Sequence, residues 1–444
     1  MYIHVSNAST RCSSVLETNS IVSNLFKFKA FSLSLSLSLS RLSKLLVFLI
    51  VPFLFVNCGG SGGDGNPTPY HKVSFYDSNL DLLASFSGLP TGHQVNQADL
   101  DANATTYGVS GWYQKESAAA ETSFSIALNG NINFYALPNV YEITTQAELN
   151  AVRDDLNGRY ILINDIALSD GSAGVDSSGW NPIGNDPNYN YFTGLFNGNS
   201  HKITNLWIER STTDYIGLFG YIESANIRNL GVEIAANKVK GKYYVGSIAG
   251  FVYGGSITNS YAAGEISGLY YVGSIAGFVY GGSILNSYAA GEVSGTESVG
   301  GIAGEAYANS IISNSYAAGS VSGKNYVGGI AGYAYSSTIE NNAAINPQVT
   351  ARDGYVNRVV GGIDSATITN NFALSTMSGS FDNYGNGGTL KTEIELKTQS
   401  TYSDTINGDG LGGLGWSFGD NDTSPWKHDD SKNNGLPYLY WQEL

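Results

Sequence analysis

Tyr243-Tyr244-Val245-Gly246-Ser247-Ile248-Ala249-Gly250-Phe251-Val252-Tyr253-Gly254-Gly255-Ser256-Ile257 stands again, residue for residue, at Tyr270 to Ile284. Its central phrase returns as Val299-Gly300-Gly301-Ile302-Ala303-Gly304 and as Val327-Gly328-Gly329-Ile330-Ala331-Gly332, so the leading valines are 27, 27 and 28 residues apart. Weaker copies flank these, at Ile216-Gly217-Leu218-Phe219-Gly220 and Val360-Gly361-Gly362-Ile363-Asp364. A fixed period of this length means stacked units, none of which can bury its apolar face alone.

The copies sort the side chains by direction. Ile248, Ile275, Ile302 and Ile330 share a parity with Val252, Val279, Ala306 and Ala334, always apolar and so inward. The place of Phe251 is taken by Phe278, Glu305 and Tyr333, and a glutamate there points to water. Tyr253, Tyr280, Tyr307 and Tyr335 share that outward parity and are expected to form an exposed column. Ile-x-Asn keeps step with the repeat, placing Asn205, Asn229, Asn259, Asn286, Asn314, Asn341 and Asn370 in one expected file. Stacked about 4.8 Å apart, their amides can bond coil to coil, which explains a residue that strands otherwise disfavour.

Val-Gly-Gly-Ile-Ala-Gly followed by Ile-x-Asn-Ser-Tyr-Ala-x-Gly, as at Asn286 to Gly291 and Asn314 to Gly319, resembles the GLUG repeat of bacterial surface proteins. Tyr160 to Ile166, Trp180-x-Pro182-Ile183-Gly184 and Phe192 to Gly198 extend the likeness, which covers roughly residues 140–375. The resemblance implies an all-β fold, a right-handed parallel β-helix of about seven coils, in adhesin-like proteins or as an accessory to surface peptidases. None of the five histidines (His4, His71, His93, His201, His428) opens the His-Glu-x-x-His motif of such a peptidase.

Both ends of a solenoid expose strand edges. Thr145-Gln146-Ala147-Glu148 is a capping box that opens a helix with Leu149, Val152 and Leu156 on one face, the expected N-terminal lid. After Thr376 the repeat dissolves, and Trp416, Trp426 and Pro437 to Trp441 are expected to close the last coil as an aromatic lid. Between Lys72 and Pro138, short alternating runs around Val73-Ser74-Phe75-Tyr76, Gly111-Trp112-Tyr113 and Ile132 to Ala136 read as a small β unit. They resemble the β-grasp repeat of Listeria internalins and Bacteroides surface proteins, with Trp112 as its core residue.

Lys27, Lys29, Arg41 and Lys44 precede an apolar run, Leu45 to Val56, too short to span a bilayer and shaped like a signal peptide. Leu54 to Gly59 resembles the lipobox of bacterial lipoproteins, which implies acylation at Cys58; Phe55 and Asn57 depart from its commonest residues. Gly59 to Pro67 is then a flexible tether. The expected organisation is leader 1–57, tether 58–69, β-grasp module 70–138, cap and entry coils 139–202, solenoid repeats 203–375 and C-terminal cap 376–444.

Beyond residue 57 the chain has 17 basic against 36 acidic residues, a net charge of −19 that repels nucleic acid. Only 13% of residues are charged and 42% are hydrophobic, enough to fill a core. Glu265 and Glu292 hold matching places in successive coils, but Ser320 follows them, which reads as an exposed turn rather than a catalytic pair. Asp420-Asn421-Asp422 and His428-Asp429-Asp430 match no calcium-loop spacing. The expectation is therefore a monomeric, lipid-anchored protein of the cell envelope, exposed at the outer membrane, without catalytic residues, metal or cofactor. Its partners are the membrane, through the anchor, and a glycan or a cell-surface protein. A polysaccharide-cleaving β-helix enzyme and a pure spacer are the alternatives.

Overall fold

The computed structural model describes residues 70–96, 100, 103, 111–116, 125–185, 190–382, 387–404 and 413–442. Cys58 and the leader lie outside them.

One coil, residues 243–269, shows how the repeat folds. Tyr243–Val245 runs along one face, Ala249–Tyr253 along a second, and Ser256–Thr258, Tyr261–Ala263 and Ile266–Ser267 complete the circuit. The next coil lies directly over it in parallel register: Val252 pairs with Val279, Ile257 with Ile284 and Ala262 with Ala289. The second face stacks six such strands, from Phe219–Glu223 to Val360–Asp364, and the first stacks five. The chain is a parallel β-solenoid. Val245, Ile248, Val252, Ile257, Ala262 and Ile266 are fully buried and meet their own equivalents above and below. Each fully buried Val or Ile contributes about 1.5–3 kcal/mol.

Two repeated residues make this circuit possible. Gly277, Gly304, Gly332 and Gly361 pass so close to the preceding coil that a Cβ would lie 2.3–2.4 Å from the backbone nitrogen of Val245, Val272, Val299 or Val327. At the corner after Ser256–Thr258 the asparagine takes a left-handed conformation, with φ between 49° and 57° from Asn229 to Asn370. Asn adopts this region more readily than other non-glycine residues. The corner, as much as the amide, explains its return.

Six asparagines share that corner. Asn205 does not, because Ile203 pairs with Val232, a position beyond the corner, while it is Phe196 that pairs with Ile227. Asn205 instead donates to the Leu168 carbonyl at 3.4 Å. The repeat file is one coil shorter at its start than the motif count predicts.

Parallel pairing already begins at Val140–Ile143, which lies beside Arg159–Leu162 and then Leu195–Asn197. The capping box forms as expected: Thr145 accepts from the Glu148 amide, Glu148 reaches back, and a short helix Gln146–Ala151 buries Leu149. Ahead of it stands a small sheet, in which Tyr70–Tyr76 pairs antiparallel with Leu82–Pro90 and parallel with Ile132–Tyr135. Phe75, Phe134 and Trp112 form its core, and the Trp112 indole donates to the Leu100 carbonyl at 3.0 Å.

The C-terminal segment departs from expectation only in where its aromatics lie. Thr389–Lys391 adds a rung beside Phe372–Leu374, and a second capping box opens the helix Glu393–Leu396. Residues 413–442 then turn back along the solenoid flank as a strap rather than sitting over its last coil. Trp416 donates to the Asn341 carbonyl at 2.7 Å, Asn433 to the Tyr316 hydroxyl at 2.8 Å, Gln442 to the Tyr288 hydroxyl at 2.7 Å and Trp441 to the Asn259 carbonyl at 3.3 Å. The aromatics cover the flank that carries Tyr261, Tyr288 and Tyr316, whose rings are buried against Trp441, Trp416 and Trp426. Near its start the strap meets Arg228, which bonds both Asp81, in the turn before Leu82–Pro90, and, at 2.8 Å, Asp422.

Candidate functional site

The faces away from the strap carry tyrosine in three files. Tyr253, Tyr280, Tyr307 and Tyr335 stack with ring centroids 5.1, 5.5 and 4.5 Å apart. Tyr253 is 41% exposed and Tyr280 36%, and the other two are half-buried. Two residues earlier on the same strands, Tyr221, Phe251 and Phe278 stack at 4.7 and 5.0 Å. Phe251 and its equivalents, expected in water, are half-buried because each ring covers the next. At the corner leading into this face, Tyr215, Tyr244 and Tyr271 form a third file at 5.0 and 5.1 Å. Their rings meet the middle file edge-on: Tyr271 and Phe278 are 5.2 Å apart at 85°.

The third file sits on strained backbone. Tyr215, Tyr244, Tyr271 and Tyr326 have φ between 51° and 60°, a region that costs a bulky residue about 1–2 kcal/mol. Edge-to-face and stacked pairs return about 0.5–1.5 kcal/mol each. Burial raises the Tyr244 phenol above its ordinary range and pushes Tyr271 up to about 12, so these hydroxyls stay neutral near pH 7.

One coil breaks both inner files. Ser298 stands where Tyr271 and Tyr326 flank it, and Glu305 where Phe278 and Tyr333 do. The missing rings leave a notch of about 150 Å³ lined by Tyr271, Glu297, Ser298, Glu305, Tyr326 and Tyr333, among others. Ser298 donates to the Glu305 carboxylate at 3.2 Å, and burial pushes that carboxyl up to about 7.

The asparagines lie on the opposite, strap-covered side. Asn259 donates to Asn229 at 3.3 Å, Asn286 to Asn259 at 3.2 Å and Asn370 to Asn341 at 2.6 Å. Among the described residues no such bond reaches Asn314. A more continuous ladder runs one residue on. The Ser260 amide donates to Ser287 at 3.2 Å, Ser287 to Ser315 at 3.1 Å, Ser315 to Asn342 at 3.0 Å and Asn342 to Asn371 at 2.9 Å, all buried. The sequence signal was present: every residue following the corner asparagine in these coils carries a side-chain oxygen.

The other acidic candidates are engaged locally. Glu265 is paired with Lys238, while Ser294, Ser320 and Gln348 line the shallow hollow it shares with Glu292. Asp420 pairs with Lys427 at 2.6 Å, and Asn421 and Asp429 cap their own turns. Among the described residues no group of three or more metal-ligating side chains gathers, and no helix is long and apolar enough to cross a membrane.

Residues 241–267 and 295–322 match the family described as the GLUG motif, so the repeat carries GLUG motifs in two of its coils. A protein of Evansella cellulosilytica with the provisional name Gly-rich membrane protein is 41% identical over 122 residues, which is 26% of this chain and 14% of that one. Halomucin of Haloquadratum walsbyi is 32% identical over 171 residues, 36% of this chain and 2% of its own length. The chain thus matches small fractions of these much longer relatives. A crystal structure of a Bacteroides ovatus protein, provisionally named an immunoglobulin A1 protease, superposes with a TM-score of 0.51 at 23% identity, over 69% of this chain and 93% of that one. That likeness is one of fold.

Proposed function

We propose that this is a display protein of the cell envelope whose open aromatic face binds a glycan or a protein of another surface. The observation that carries the reading is the unequal treatment of two tyrosine flanks. The Tyr261, Tyr288 and Tyr316 file is sealed under the strap, while the Tyr253 to Tyr335 column and its neighbours face outward with no strand or strap of the described residues over them. Stacked neutral rings on a rigid, acidic rod suit contact with sugar faces or apolar side chains. Relatives named for a membrane and for a halomucin support an envelope location. Anchoring through lipid on Cys58, a Gly-rich tether, a β-grasp spacer and a monomeric rod at the outer membrane complete the proposal.

The test is a Tyr253/Tyr280/Tyr307→Ala triple variant. It should melt at nearly the parent temperature yet lose binding to a glycan array or to cells. Unchanged binding overturns the reading. Cys58→Ser should move the protein from the membrane to the soluble fraction, and protease shaving of intact cells should remove the solenoid. Binding rather than catalysis also means that immunoglobulin A1, the substrate named for the solved neighbour, should stay intact on incubation.

A further inference from the structure

The notch at Ser298 and Glu305 interrupts two files of rings, one running from Tyr215 to Tyr355 and the other from Tyr221 to Tyr333, and its shape is that of one missing layer. On one side stands the edge-to-face pair Tyr271 and Phe278. On the other stands the equivalent pair two repeats further, Tyr326 and Tyr333, with centroids 5.0 Å apart at 65°. Two rung steps separate the walls, roughly 10 Å. A flat group inserted midway meets a ring on each side at about the 5 Å spacing that the files themselves keep.

The floor and rim of the slot carry carboxyl groups and no basic group. Glu305 lies at the base, held by Ser298, and Glu297 lies at the mouth; none of the lining residues is a lysine or arginine. The ring faces add the negative side of their quadrupoles. We propose that this slot receives the guanidinium of an arginine side chain on a partner protein. The guanidinium is planar, stacks on aromatic faces, and matches a carboxylate through two parallel N–H donors. An ammonium lacks the plane, and a neutral sugar leaves the half-buried Glu305 carboxylate without a counter-charge, whose ionisation burial already opposes. The inference rests on the reading of this face as a docking surface, and it names what the partner presents there.

The test uses the full-length protein and three probes: the N-acetyl amides of arginine, of citrulline, which is its neutral isostere, and of lysine. Arginine should bind about tenfold or more tightly than either of the others, the loss expected when a charge-assisted bond is removed. Glu305→Gln, which leaves the slot open, should cost about the same factor. Ser298→Tyr with Glu305→Phe installs the residues of the neighbouring coils, so it should fold well and abolish arginine binding. Equal affinity for citrulline, or arginine binding that survives the filled slot, overturns the proposal. If the Tyr253/Tyr280/Tyr307→Ala variant loses surface binding while the filled slot keeps it, the slot fails and the docking face stands. If neither variant loses surface binding, the reading of the face fails as well.

Discussion

Asn286 allows the two reasons for the corner asparagine to be separated. Its side chain donates to the side-chain oxygen of Asn259 at 3.2 Å, and its backbone sits at φ 50°. Asn286→Ala removes the bond, about 1 kcal/mol, and leaves an alanine in the left-handed region, which costs about 1 kcal/mol more. The sum is about 2 kcal/mol. Asn286→Gly loses the same bond but takes the conformation without steric cost, so it should destabilise by only about 1 kcal/mol. Urea unfolding followed by tryptophan and tyrosine emission reads both, because the rings of the strap and of the buried tyrosine file separate together. The ordering is what matters. A glycine variant as unstable as the alanine variant, or more so, refutes the conformational argument and returns the whole effect to the amide ladder.

Ser287→Ala should cost about 1–3 kcal/mol by stranding the buried Ser260 amide, and Ser287→Asn should recover most of it, since Asn342 fills the same role further along the ladder. Arg228→Met breaks a largely buried contact with Asp81 and Asp422 and should cost about 3–5 kcal/mol, seen as rapid proteolytic release of the strap. The same cluster predicts a pH effect. Burial and the hydrogen bond with Asp422 push Asp81 up to about 8, so its protonated form favours the fold; that contribution is complete below the ordinary carboxyl range and is lost as pH rises through about 8. Burial alone would raise Asp422 too, but bonds from Asp81 and Tyr440 and the charge of Arg228 bring it below its ordinary range, so its contribution is lost on acidification. Proteolysis of the strap should therefore quicken progressively from about pH 4 to about pH 8 and level off above it, and Asp81→Asn should flatten that slope. Gly319→Ala, whose Cβ would press on the Gly291 carbonyl oxygen of the adjacent coil, should destabilise by about 1–3 kcal/mol in the same urea assay.

The stacked architecture was legible because the repeat writes the inward file several times over. Ile248, Ile275, Ile302 and Ile330 could not all be apolar by accident, and all are buried. Asn205 misled because Ile-x-Asn is a short phrase, and only the pairing of Ile203 with Val232 shows that it belongs to another stretch of the circuit. The left-handed corner was hidden behind an equally valid reason for asparagine. The serine ladder was missed because Ser and Asn look unlike as letters, while both supply the oxygen that a buried amide needs. The strap carries no period at all. Its contacts, such as Trp441 with Asn259 and Asn433 with Tyr316, join residues far apart in the chain, and composition alone cannot say which flank they cover.

The strap also decides how the outward residues should be understood. A rod that serves only as a spacer needs solubility from its outer positions, and small polar or charged residues supply that without strain. Here the outer positions hold rings, several of them on left-handed backbone that disfavours large side chains. Stacking offsets some of that strain, but only where the file is unbroken. At Ser298 the same strained conformation, φ 50°, persists with no ring to stack, and Glu305 places a carboxylate where its ionisation is opposed. If stability alone shaped this face, the cheapest repair is the tyrosine and phenylalanine already used one coil earlier. That the coil departs from its neighbours at both positions at once, and that the two departures meet in one notch, is the observation on which the proposed docking role of this face rests.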